Sequence, residues 1–493
     1  MRRIGSVTKY YKFIDDSIIA VLDSLLDASS DFHDFMERLK VEISSSTAPE
    51  HLVHIAAVLS WETNDISVSE AIALAHNEKL SVEPWILEHK GSSNHRSEAV
   101  EKLISSNAPD WILFRAYLCK TWLSYLVPEA YEFLESAKAL LDSNANLVYF
   151  LSEAYSYEAL LERYQGNIDN VSKLLEMALK NARECDDILS EISLLLERSE
   201  LLIGIDVREA MEGVQRAYNL SAELGVPYLE TISIMNLGML SSITGEYDLA
   251  LLSWHKCVTY LQTQGDLNCH WPIEISRLYA DINRGNDAVE WAKEAIAIDE
   301  GVIGVGGLDD HLCPHVTMAY ALIVQGKLCA AQSYLDKSRE IALRSGQEAL
   351  LSEYYFVQGL HEVISGNTAD GMDTLARSLE ICDRTGSRPL LTNRCLLALA
   401  RAEVERSDCE DINEYYRDEP GPWMIRLEQE SRKRGLIGIQ LQHALLKAEF
   451  QNKAGLHDVA IETLKAALGS YDSPGVETLR IQVENKIRDL TEC

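Results

Sequence analysis

The sequence predicts an all-α protein, a right-handed α-solenoid of stacked helical hairpins with a helical N-terminal region and a C-terminal capping helix. Three observations predict it. Apolar residues recur at three- and four-residue intervals nearly throughout, the period of helices buried along one face. Prolines number only 11 in 493 residues, too few to interrupt that pattern often. Glycines punctuate it at intervals of about 40 residues, and a period of that length with two helices per unit means a solenoid.

Residues 1–45 read as helical, with SIIAVLDSLLDA and DFHDFMERL as amphipathic pieces ended by Ser44, Ser45, Ser46 and Pro49. PEHLVHIAAVLSW and SVSEAIALAHNEK form a second pair about the turn at Thr63, Asn64 and Asp65. The most linker-like stretch is GSSNHRSE at 91–98, so residues 1–100 make a helical N-terminal region or cap. From 108 onward the repeat dominates. Gly166, Gly204, Gly245, Gly285, Gly326, Gly366 and Gly455 mark turns inside hairpins. Gly225, Gly265, Gly346, Gly386 and Gly435 mark the ends of second helices, where a left-handed cap favours glycine. Both ladders lengthen once between 386 and 435, where SDCEDINEYYRDEPGPW supplies an insertion. One rung is missing near 305, in the glycine-rich EGVIGVGGLDD. Pro227, Pro272, Pro314 and Pro389 stand at the starts of first helices, where a missing N–H costs nothing. The result is about nine hairpins over 108–473 and a capping helix over 474–493.

Hydrophobic content of 47% is ample for a continuous core. The formal net charge of −32 disfavours nucleic acid and anionic membrane and favours basic protein or peptide partners. Cys119, Cys257, Cys329 and Cys395 fall among apolar helical residues as small core fillers, which suits a reducing, cytoplasmic setting. The N-terminus lacks the apolar run of a signal peptide, and no segment reaches the apolar length of a membrane span.

The stretch GEYDLALLSWHKC resembles the second half of a tetratricopeptide repeat. That family's pattern has a glycine turn, an aromatic two residues on and an alanine five residues on, here Gly245, Tyr247 and Ala250. Small residues follow at Gly238, seven before the turn, and Cys257, twelve after it. Other units match in part: Ala319, Ala331 and Ser338 around Gly326; Gly359, Gly371 and Ser378 around Gly366; Ala448, Ala460 and Ala467 around Gly455; Ala159 and Ala178 around Gly166, with Val171 between. A bulky side chain there would force the two helices apart. The usual repeat is 34 residues, so this longer form is similar to the sensor arms of large bacterial and archaeal transcription activators and to kinesin light chain repeats. The unit at Gly285 departs from the pattern because NDAVEWAKEAI is shortened.

The resemblance implies that first helices line a concave groove holding a partner peptide or protein. Members of the family carry an asparagine nine residues before the turn that bonds a ligand backbone. Asn236 occupies that place, with Thr317 and others at equivalent positions. Counting from the same turns puts Met235, Met239, Tyr320, Phe356 and Leu360 on the groove face, where methionine and aromatic rings suit an adaptable surface. The rival reading is the ligand-sensing arm of a signalling or transcriptional regulator, with SVSEAIALAHNEKLSVEPWILEHKG as a helix-turn-helix. Glu83, Glu88 and Pro84 argue against a DNA-reading helix there. His311, Cys313 and His315 lack a fourth metal ligand. EGVIGVGGLDD has no GK[ST] and no preceding strand, so no nucleotide cofactor is expected. No nucleophile, base and oxyanion donor converge, so catalysis is not expected either.

Overall fold

A computed structural model of the chain describes residues 5–45, 48–63, 66–76, 93–124, 129–164, 167–203, 206–263, 270–301, 313–345, 347–385, 389–406, 421–470 and 474–492. Among the described residues every regular element is helical. Gly5–Thr8 (α1) runs into a 3-10 turn at Lys9–Lys12. Asp16–Ala28 (α2), Phe32–Ile43 (α3), Glu50–Thr63 (α4), Ile66–His76 (α5) and Ser93–Ile104 (α6) follow. Hairpins then succeed one another: Asp110–Leu123 (α7) with Glu129–Ser143 (α8), Leu151–Tyr164 (α9) with Ile168–Glu184 (α10), and Ile188–Leu202 (α11) with Val207–Leu224 (α12). Next come Pro227–Thr244 (α13) with Tyr247–Thr263 (α14), His270–Asp281 (α15) with Gly285–Gly301 (α16), and Pro314–Val324 (α17) with Leu328–Ser345 (α18). The last are Glu348–Ile364 (α19) with Thr368–Thr385 (α20), Pro389–Arg406 (α21) with Pro422–Lys433 (α22), Ile437–Lys453 (α23) with His457–Ser470 (α24), and the final helix Glu477–Glu492 (α25). The chain divides into two compact units, Met1–Leu202 with Glu209–Ser233, and Ile203–Arg208 with Ile234–Cys493.

Local sequence explains the helices. At the start of α2 the Asp15 carboxylate accepts from the Ser17 and Ile18 amides, two donors with no partner inside the helix. Ile18, Leu22 and Leu26 then recur every four residues and bury one stripe. Pro227, Pro314 and Pro389 each open a helix, and Pro272 lies in the first turn of α15.

The turns follow one hydrogen-bond pattern. Gly245, Gly326, Gly366 and Gly455 all have positive φ, as do Gly225 and Gly435 at second-helix ends. At each, the next amide reaches back to a carbonyl in the last helical turn, as Glu246 N does to Ser241 O (2.7 Å) and Lys327 N to Leu322 O (2.9 Å). The fifth hairpin corrects the ladder. Its left-handed residue is Asn283 (φ 63°), closed by Arg284 N to Tyr279 O, while Gly285 already belongs to α16. Asp186 (φ 53°) ends α10 in the same way, a rung that a search for glycine alone passes over. Gly166, Gly204, Gly265, Gly346 and Gly386 lie outside the described residues, as do His311, most of EGVIGVGGLDD, the insertion at 407–420 and the second half of the helix-turn-helix candidate.

Small residues sit where helices cross. Ala250, Cys257, Ala319, Ala331, Ser338, Ser378, Ala448 and Ala460 are all at most 1% exposed. In α19 and α20 two glycines face each other. A Cβ on Gly359 would lie 2.9 Å from Gly371 O, and one on Gly371 would lie 2.8 Å from Gly359 O.

In the second unit α15, α17, α19, α21 and α23 each pack on their own partner and on the next helix of the series, so together with α25 they form one continuous row. That row closes on the unit's first hairpin. Gly245 and Gly438 meet backbone to backbone. Asn393 Nδ2 donates to Ile243 O (3.0 Å) and Gln442 Nε2 to Tyr247 Oη (3.0 Å). The start of α25 docks on α14 as Thr478 N and Oγ1 donate to the Asp248 carboxylate at 2.9 and 2.6 Å.

Candidate functional site

The seven groove candidates divide by burial. Met235, Met239 and Leu360 are half-buried. Asn236, Thr317, Tyr320 and Phe356 are buried, and the last three meet an ionic network on the inner row. Arg277 of α15 donates through Nη1 to Glu274 (2.7 Å), through Nη2 to Glu353 of α19 (2.6 Å) and through Nε to Thr317 Oγ1 of α17 (3.1 Å). Arg394 of α21 grips both oxygens of Asp281, with Nη2 to Oδ2 at 2.7 Å. Tyr320 Oη donates to the same carboxylate (2.8 Å), and its ring stands edge-on to Phe356 at 5.4 Å. Burial disfavours the Arg394 charge, but Asp281 and Glu274 outweigh it and raise the pKa. Burial likewise raises the Asp281 and Tyr320 pKa values. The space among Arg277, Thr317, Tyr320, Glu353, Phe356 and Arg394 is about 20 Å³, room for one water and no side chain. Here the inner face is tied together by its own ions.

The first unit holds a second buried ionic cluster, built around a short N-terminal segment. The N-terminal segment Gly5–Lys12 lies across several helices, with Ser6, Val7, Lys9 and Tyr10 at most 2% exposed. The Lys9 ammonium meets three carboxylates: Asp187 at 2.8 Å, Glu153 of α9 at 3.3 Å and Glu62 of α4 at 3.6 Å. Arg115 of α7 pairs through Nη2 with Glu62 and Glu153, both at 2.7 Å. Asp187 is fixed at the entrance of α11, accepting from Ser190 Oγ (2.8 Å). Ser6 Oγ donates to Asp187 (2.7 Å) and accepts from Leu189 N (3.1 Å). The Tyr10 ring stands edge-on to Trp111 (5.3 Å) and tilted against Phe150 (5.6 Å). Burial opposes the Lys9 charge, yet Asp187 and Glu62 hold its pKa well above the usual lysine range. Burial also works against the Asp187 carboxylate, but Lys9 holds its pKa below the usual value. A second, open hollow of about 480 Å³ lies among Glu176, Leu195, Arg198 and Glu209, with Arg198 paired to Glu209 across it.

The architecture is a succession of helical hairpins, each packed on its neighbours. Apo RapI is 14% identical over 72% of this chain and 100% of its own, with a TM-score of 0.45. A signal-transduction ATPase with a tetratricopeptide-repeat sensor from Pyrococcus horikoshii is 14% identical, covering 69% of this chain, with a TM-score of 0.41. The chain spans 54% of that protein. Yeast Tom70 is 12% identical over 89% of this chain and 95% of its own, with a TM-score of 0.34. No family model matches the sequence, and no curated protein matches it. The likeness is one of repeated helical hairpins at low identity.

Other candidates are placed plainly. Cys313 precedes α17 with its thiol 3.9 Å from Ser338 Oγ, and the His315 ring packs 6.0 Å from Tyr334. Among the described residues no group of three metal-ligating side chains assembles. No described helix is long and apolar enough to cross a membrane. Sequence reasoning missed Lys9, Glu62, Arg115, Glu153 and Asp187. The one local signal was a charge inside an apolar run, as Arg115 stands in DWILFRAYL.

Proposed function

We propose that the chain is a protein-interaction scaffold that receives a partner peptide or protein on the inner face of its stacked first helices. One observation carries this reading. In the first unit that side already holds a short helical segment, Gly5–Lys12, through side chains drawn from α4, α9 and the entrance of α11. Such a face can recognise a peptide by pairing its charges and packing its rings. In the second unit Met235, Met239 and Leu360 are half-buried beside the buried Asn236, whereas Thr317, Tyr320 and Phe356 join the ionic network. The net charge of −32 favours a basic partner and predicts binding that weakens with salt. The buried Cys257, Cys313, Cys382 and Cys395 suit a reducing, cytoplasmic setting as small core residues.

The test places photo-crosslinkers at Met235, Met239 and Leu360 and, as controls, at the exposed Leu252 and Leu343. A partner identified from the first set is then titrated against wild type, Asn236→Ala and Met239→Glu. The expected loss is about tenfold or more for Met239→Glu, as a charge enters a half-apolar contact. Equal affinity for all three proteins, or crosslinks from the controls alone, refutes the reading.

A further inference from the structure

We infer that the inner side of the first unit is a lysine-reading peptide site that its own segment Gly5–Lys12 occupies in cis. Its trans ligand is a partner protein's short basic helix bearing a serine, a lysine three residues on and an aromatic residue beside that lysine. This deepens the scaffold reading and rests on it.

Charge is the first argument. With Lys9 in place, two cations face Asp187, Glu62 and Glu153. Without it, Arg115 pairs with Glu62 and Glu153 through Nη2, and the buried Asp187 loses its ammonium partner. A buried excess of negative charge is costly, so whatever fills the site must bring a cation. The carboxylates arrive from three separate places in the chain and converge on one nitrogen at 2.8, 3.3 and 3.6 Å. An ammonium with three rotatable donors fits that arrangement, and a planar guanidinium does not. The serine pocket is equally specific. Asp187 accepts from the Ser6 hydroxyl and Leu189 N donates to it, so both hydrogen-bonding roles of one hydroxyl are read.

The second argument is the imperfect fit of the present occupant. Four buried polar atoms around it have no hydrogen-bond partner: Tyr10 Oη, Trp111 Nε1, Arg115 Nε and Glu62 Oε2. Each unmade bond weakens the in-cis contact. The segment runs into α2 through the short link Phe13–Asp15. A ligand that matches Ser6 and Lys9 and also satisfies Trp111 Nε1, Arg115 Nε and Glu62 Oε2 would displace it. The in-cis segment therefore lowers apparent affinity and admits only ligands that compete with it.

The experiment uses the full chain with a protease site inserted after Phe13. After cleavage, a fluorescent peptide of residues 5–14 is followed by anisotropy. The cut protein should take up the peptide and the uncut protein should not. A peptide with Lys9→Ala should bind about 10- to 100-fold more weakly, as expected for loss of a charge-assisted contact. Lys9→Arg should not restore it, and Ser6→Ala should weaken it several-fold. As a second variant, uncut Lys9→Ala protein should bind the wild-type peptide. Three outcomes overturn the inference: cut protein that stays folded and takes up no peptide, cut protein that unfolds, or equal binding of the Lys9→Ala peptide. Exchange of the segment between two tagged copies of the uncut chain would assign the site to self-association and also overturns it. None of these results bears on crosslinking at Met235, Met239 and Leu360, which tests the scaffold reading directly and by itself.

Discussion

Gly438→Ala is the substitution whose sign separates two physical effects. Gly438 is the second residue of α23, and alanine in a helix is favoured over glycine by up to about 1 kcal/mol. An isolated α23 would therefore gain. The closure of the second unit reverses this. A Cβ on Gly438 would lie 2.1 Å from Gly245 O and 2.4 Å from Gly245 C, and these are backbone atoms in a capped turn that cannot rotate away. The turn must retreat by about 1 Å to reach ordinary contact, and overpacking of this kind costs about 1–3 kcal/mol. If the contact opens instead, the unit loses Asn393 to Ile243, Gln442 to Tyr247 and both Thr478 bonds to Asp248. At about 1 kcal/mol for each hydrogen bond, opening costs about 4 kcal/mol at most. The net expectation is a loss of about 1–3 kcal/mol in urea unfolding, with faster amide exchange at 241–248. Gly469→Ala is the control, because a Cβ there meets nothing within 4 Å. It should be neutral or stabilising by up to about 1 kcal/mol. Should Gly438→Ala stabilise the protein as the control does, the closed contact is absent in solution and the reasoning fails.

Three further outcomes follow from the same structure. Burial raises the Glu197 pKa from 4.5 to about 7, against one hydrogen bond from Ser156. The folded state thus holds a proton that the unfolded chain releases, and stability falls as pH rises from about 4.5 to 7. Glu197→Gln should remove that loss, on the order of 3 kcal/mol at pH 8 and nothing near pH 4, read from denaturation at the two pH values. Arg394→Leu should cost about 3–5 kcal/mol by leaving Asp281 buried beside Tyr320, whereas Arg394→Leu with Asp281→Leu should recover much of it in a double-mutant cycle. A double-variant loss equal to the sum of the Arg394→Leu and Asp281→Leu losses would show that the pair is not coupled. Asn283→Val should cost about 1–2 kcal/mol because φ 63° suits asparagine and not a β-branched residue, while Asn283→Gly should leave the melting temperature unchanged or raised.

The hairpin frame was legible in the sequence because its determinants are local. A left-handed turn must close within six residues, so Gly245, Gly326, Gly366 and Gly455 could be read from spacing alone. The fifth turn was misplaced for a local reason as well: Asn283 takes the conformation that Gly285 was expected to take. The small residues at helix crossings were equally readable, since a close approach leaves no room for a longer side chain. The polar clusters were not readable. Lys9 and Asp187 are 178 positions apart, and Arg394 and Asp281 are 113 apart. Each is an ordinary charged residue in its own stretch of sequence. What marks them is the company they keep after stacking, and hairpin periodicity does not say which inner-face charges will meet. Thr317 and Tyr320 were placed on the inner face by counting from turns, but counting could not show that Arg277 and Asp281 would already hold them.

An open array of repeats can begin to fold at any hairpin and spread from there. The second unit has a further requirement, because Asp248 waits for Thr478, 230 residues downstream. At about 5–20 residues per second of synthesis, the α13–α14 hairpin leaves the ribosome roughly 10–50 s before the helix that covers it. During that interval the backbone at Gly245 and the buried faces of Glu246 and Tyr247 are open to other chains. The unit's last step is the joining of its two most distant parts, a slow contact by topology. Truncation from the C-terminal end therefore uncovers the earliest-made hairpin as well as the latest.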